Sequence, residues 1–187
     1  MDPLRDGTLT AIVAADADLD LAAAKLAGSA FLFAGQSCIS IQRIIVQDSI
    51  SDDFTERLVS NVESLEVGDP MDETSEMGPL SSEGARDDIC EQLEKAVQSG
   101  ATKLCGGKIP DRPGAWMEPA ILVDIPEGAA VTKQEFFGPV ATLACVYILA
   151  SIMTEMITNN AVAVLLFPIC LQTAALSGAD SRPFLIA

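Results

Sequence analysis

Cys38 is the residue in this chain best suited to covalent chemistry. It stands in "FAGQSCISIQRIIV", where Gly35, Gln36 and Ser37 lead into it. An isoleucine- and valine-rich run follows, broken only by Ser40, Gln42 and Arg43. A thiol attacks as its thiolate, and exposed backbone N–H groups or a helix N-terminus help to form that anion. Gly35 and Ser37 are small and leave access from one side. On spacing alone, the ordinary reading of a free cysteine is a small buried hydrophobe. Both readings stand at this point. Cys90, Cys105, Cys145 and Cys170 sit in apolar or turn contexts and read as structural residues packed away from solvent.

The rest of the composition narrows the chemistry. The chain has no histidine, which excludes a Ser-His-Asp triad, a Cys-His pair and a histidine zinc site. Five cysteines at wide spacing, with no C-x-x-C pair, argue against a disulfide framework or a thiolate metal centre. No metal is expected, and a reducing, cytoplasmic setting fits this usage. Twenty-seven acids against 11 bases give a net charge of −16. Nucleic acids and anionic membranes want the opposite sign, so neither is an expected partner. Residues 1–8 are polar and charged, unlike a secretory leader.

Positioning Cys38 requires elements on both sides. "DADLDLAAAKLAGSAFLFAG" predicts a helix capped by Asp16 or Asp18 and ended near Gly35. Ile39 to Val46 predicts a buried strand. Ser51 is placed to cap a second helix with Phe54, Leu58, Val62 and Leu65 on one face. A third helix aligns Ala85, Ile89, Leu93, Ala96 and Val97 and stops at Gly100. "TKLCGGK", "AILVDI" and "PVATLACVYIL" predict further strands. Helices alternating with apolar strands imply a layered α/β fold with a largely parallel sheet. Charge is uneven, since all but three charged residues lie at or before Glu135. The expected division is an α/β part over 1–148 and an apolar tail over 149–187.

Several stretches, in order, resemble the aldehyde dehydrogenase superfamily. "GQSCISIQRIIV" is similar to its active-site segment, and "VAADADLDLAAAKLAGSAFLFAG" to the helix before it. "LEVGDPMDETSEMGPLSSE", "GGKIPDRPGAWMEPAILVDI" and "KQEFFGPVATL" are similar to later family segments. The likeness runs from about Ile12 to Leu143. It implies a partial catalytic domain in which Cys38 attacks an aldehyde and NAD or NADP accepts a hydride. It further implies that the Cys38 N–H supplies half of an oxyanion hole. By the same resemblance Glu135 holds the nicotinamide ribose, Phe137 packs near the nicotinamide, and Ser37 and Ile39 line the aldehyde pocket. The expected partners are a small aldehyde and, as in an oligomeric enzyme, further copies of the chain.

The departures carry expectations of their own. Counting back from Asp16 puts Leu4 where the family has its glutamate base, and a leucine accepts no proton. No glycine-rich phosphate loop follows a strand, so the coenzyme-binding domain and its oxyanion asparagine are expected to be absent. The alternative is a non-catalytic pseudo-enzyme or a fusion fragment. In the tail, "TEMITNNAVAVLLFPI…RPFLIA" resembles a piece of the divalent-anion/sodium symporter family. That resemblance would make Thr158, Asn159 and Asn160 sodium ligands, with membrane association or aggregation through the tail. Each apolar run there is shorter than the ~20 residues of a straight bilayer-spanning helix.

Overall fold

The computed structural model describes residues 9–126 and 135–146. The tail, with Thr158, Asn159, Asn160 and Cys170, lies outside the described residues, as does Leu4. The described residues fall within the unit Met1–Val146.

Five strands, β1 (Leu9–Val13), β2 (Ile41–Gln47), β3 (Thr102–Cys105), β4 (Ala120–Val123) and β5 (Val140–Val146), form one sheet in the order β1-β2-β5-β4-β3. Every pairing is parallel except β3 with β4. The expected layered α/β fold with a largely parallel sheet is therefore found. Three helices accompany it: α1 (Leu19–Phe31), α2 (Ser51–Glu63) and α3 (Glu83–Gln98). No helix among the described residues is long and apolar enough to cross a membrane.

Each element follows from its sequence. Asp18 caps α1, its carboxylate accepting the Leu21 N–H at 3.1 Å. The helix buries Ala23, Leu26, Ala27, Ala30 and Phe31. Its end comes four residues before Gly35, because Phe33, Ala34 and Gly35 all turn into the left-handed region. In β2 the pleat buries Gln42, Ile44 and Val46 on one face. In α2, Phe54, Leu58 and Val62 recur every four residues and are fully buried. Each such side chain contributes roughly 1.5–3 kcal/mol relative to exposure.

Two local expectations need correction. Ser51 does not cap α2. A 3-10 turn at Asp48–Ile50 runs straight into the helix, so Ser51 becomes its first residue and Ile50 takes the cap position. The buried stripe of α3 is narrower than expected, with Ile89, Leu93 and Ala96 buried but Val97 exposed.

Gly35 carries the tightest backbone approach to the site. Its φ is +68°, and a Cβ there would lie 2.1 Å from the Gly138 carbonyl oxygen. Gly28, in the middle of α1, has nothing within 4 Å of its would-be Cβ. Opposite effects are expected in urea unfolding. Gly35→Ala should cost roughly 2–4 kcal/mol through strain and clash. Gly28→Ala should add about 0.5–1 kcal/mol through helix propensity and lost unfolded-state entropy. Equal shifts for the two variants would contradict this packing.

Candidate active site

Ser37, Cys38, Ile39 and Ser40 form one tight turn between α1 and β2. The Ser40 N–H donates to the Ser37 carbonyl at 3.0 Å, and the Ile39 N–H to Ser37 Oγ at 3.4 Å. Cys38 and Ile39 occupy the turn's tip and are exposed. Ser40 is buried and fixes the turn to the end of α1, its hydroxyl donating to the Ala30 carbonyl at 2.7 Å. Gln36 ties the other side of the turn. Its side-chain nitrogen donates to the Phe33 carbonyl at 3.2 Å, and its oxygen accepts the Ser81 N–H at 2.9 Å. Among the described residues nothing accepts from the Cys38 N–H, so that donor is available to a ligand.

The second predicted segment meets the first through a buried glutamine. Gln42 is 3% exposed. Its amide nitrogen donates to the Phe136 carbonyl at 2.5 Å, and its oxygen accepts the Phe136 N–H at 3.1 Å. Phe136 is buried in the core, whereas Phe137 is 52% exposed and Glu135 half-buried. Of the two adjacent phenylalanines, the core residue is Phe136, and Phe137 is left free to meet a ligand. A Cβ on Gly138 would meet Ile89 Cγ1 at 2.7 Å, so the same segment also fits closely against α3.

The structure thus gathers Ser37, Cys38 and Ile39 in one turn and ties the 135–137 segment to the strand that begins three residues later. Leu32, Phe33, Ile39 and Phe137 are large apolar residues exposed in these two segments, a pattern that marks contact surfaces. The residues the sequence reading passed over are Gln42, Ser40 and Gly138. For Ser40 and Gln42 the one signal was polarity, since they interrupt an otherwise aliphatic run.

The other cysteines differ among themselves. Burial pushes the Cys90 and Cys105 thiols up, and for Cys90 the nearby Arg86 charge opposes this. Cys145, expected to pack away from solvent, is instead exposed, with its sulfur 2.6 Å from Ser51 Oγ. It lines a cavity of about 820 Å³ together with Arg43, Thr142 and Asp124. None of the predicted site residues lines that cavity, so it is separate from the Cys38 turn.

Comparison with known proteins gives a consistent family. The aldehyde dehydrogenase family model matches residues 6–160, further along the chain than the likeness read from motifs. Succinate-semialdehyde dehydrogenase [NADP(+)] of Mycobacterium leprae is 42% identical over 134 residues, covering 72% of this chain and 29% of the relative. A probable succinate-semialdehyde dehydrogenase [NADP(+)] of Synechocystis is 42% identical over 130 residues, again 29% of its length. Among solved structures, betaine aldehyde dehydrogenase of Staphylococcus aureus in complex with NAD+ superposes with a TM-score of 0.72 at 34% identity. That match covers 76% of this chain and 29% of the other. An E. coli NADP-dependent enzyme gives 0.71 at 40% identity, covering 76% and 30%. The chain therefore spans less than a third of the length of these relatives. The symporter resemblance of the tail finds no support in these comparisons.

Exposure and thiolate fraction together set an order of alkylation. Iodoacetamide at pH 7.5 should label Cys38 first, Cys145 next because its sulfur engages Ser51, and Cys90 and Cys105 last. Raised thiol pKa values mean less thiolate at neutral pH. Labelling of Cys90 and Cys105 should therefore keep rising as pH climbs past the ordinary cysteine range of ~8.5. Peptide mass mapping reads the order. Cys105 labelling as fast as Cys38 would contradict the site.

Proposed function

We propose that this chain, which belongs to the aldehyde dehydrogenase family, is the nucleophile-bearing part of an enzyme oxidising an aldehyde to a carboxylate with NADP+ or NAD+. We take residues 1–148 as the catalytic-domain segment and 149–187 as a separate apolar tail. The observation that carries the reading is the Cys38 turn, which presents an exposed thiol beside an unclaimed backbone N–H.

In this reading the Cys38 thiolate attacks the aldehyde carbon, and a C–S bond forms as the carbonyl π electrons move to oxygen. The Cys38 N–H donates to that oxygen, which is where charge develops. The coenzyme supplies the hydride acceptor. Loss of hydride leaves a thioester on Cys38, and attack by water breaks the C–S bond to release carboxylate and thiol. Glu135 and Phe137 suit one edge of such a coenzyme. A half-buried carboxylate accepts ribose hydroxyl protons, and an exposed aromatic ring packs against a nicotinamide. Ser37 and Ile39 flank the thiol and face the aldehyde. The Mycobacterium leprae and Synechocystis relatives make succinate semialdehyde with NADP+ the first pair to try. The exposed apolar residues around the turn call for cover by the remainder of a larger protein or a further copy of the chain. A cytoplasmic setting remains in keeping with the widely spaced cysteines.

Leu4, standing where the resemblance places a general base, separates acylation of Cys38 from its release. Acyl transfer from p-nitrophenyl acetate needs no coenzyme and tests the nucleophile directly. A stoichiometric burst of nitrophenolate is expected, with the acetyl group on Cys38 by mass spectrometry. Turnover should then stall, because losing general-base help slows deacylation by about 10²–10⁴-fold. The 187-residue chain should give no Cys38-dependent NADPH from NADP+ and succinate semialdehyde. A burst that survives Cys38→Ala would contradict the assignment of the nucleophile.

A further inference from the structure

Gln42 is used by none of the chemistry above. Only three polar residues are buried among the described residues, and two of them, Ser40 and Gln42, lie within four residues of Cys38. A valine or isoleucine at position 42 would satisfy β2 without burying an amide. A buried amide left without partners costs about 1–3 kcal/mol, so the two bonds to Phe136 are needed to offset it. Those bonds reproduce what a neighbouring strand residue would offer, one donor and one acceptor to a single backbone unit. Among the described residues, the Phe136 N–H and carbonyl have no other partner.

We infer that Gln42 is a positioning residue that holds Glu135 and Phe137 at a fixed place relative to the Cys38 thiol. The burial sequence supports this geometry. Phe136 points into the core while the residues on either side face outward. Anchoring both backbone atoms of Phe136 fixes how far its neighbours project. The anchor lies in the same strand that carries the Cys38 turn, so the two halves of the site share one rigid base. Without the amide, the Phe136 ring still has its core position, but the backbone is free to rotate about it. This inference rests on the proposed roles of Glu135 and Phe137, and its test is separate from acylation of Cys38.

The test is a double-variant cycle at low ionic strength, reading the rate of Cys38 alkylation by iodoacetamide at pH 7.5. On this inference the Glu135 charge is held near the thiol, so Glu135→Gln should speed alkylation about twofold. In a Gln42→Leu background, which keeps the side-chain volume and removes both bonds, Glu135→Gln should have no effect. Hydrogen exchange provides the second readout. Gln42→Leu should speed exchange of the Phe136 amide at least about tenfold, while β2 and β5 amides stay protected.

A Glu135→Gln effect of equal size in both backgrounds, or none in the parent chain, would overturn the inference. So would a loss of protection spread evenly over β2 and β5, which would make Gln42 a general structural residue. Cys38 that fails to acylate while the cycle behaves as stated would remove the proposed reaction and leave the positioning intact.

Discussion

The parallel pairing of β2 with β5 is the constraint on which the site depends. It brings Gln42 and Phe136 together although they are 94 residues apart. Closing a loop of that length costs about 4 kcal/mol of chain entropy beyond a constant. Burial of Ile44, Val46, Val140, Ala141 and Leu143 along the paired strands offsets it. The register, with Arg43 opposite Thr142 and Ile44 opposite Leu143, brings the segment before β5 beside Gln42. Gly35 and Gly138 then touch backbone to backbone, and the Gln42 amide takes up the Phe136 peptide.

The cysteine turn is held by a different set of forces. Three successive left-handed residues, Phe33, Ala34 and Gly35, end α1 abruptly and throw the chain back toward the sheet. Two of the three carry a Cβ, so the conformation is strained and must be maintained from outside. Gln36 and Ser40 supply that restraint, one bonding to the loop before α3 and the other to the last carbonyls of α1. The Cys38 thiol is thus exposed on a turn that is hydrogen-bonded on both sides.

Much of this was legible in the sequence. Asp18, the alanine-rich α1, the four-residue repeat in α2 and the aliphatic strands carried enough local signal to place the layers. The ordered motifs carried the family, and with it the candidates Cys38, Glu135 and Phe137. What could not be read were the relations between distant segments. Ser51 looked like a cap because its type and neighbours suit one, and only the preceding 3-10 turn removes the need. Cys145 looked buried because its strand is apolar, yet it is exposed although Ala141 and Leu143 on the same face are buried. Gln42 looked like an interruption, because its partner lies 94 residues away and leaves no trace in local pattern.

The central claim is that the Gln42 side chain, held by the β2–β5 pairing, joins the two halves of the site. Nuclear Overhauser contacts of the Gln42 side-chain amide protons measure this directly. The account predicts cross-peaks from those protons to the residue 136–137 backbone, with slow exchange of the side-chain amide against water. A Gln42 amide that exchanges freely and shows contacts only to its own strand would contradict it.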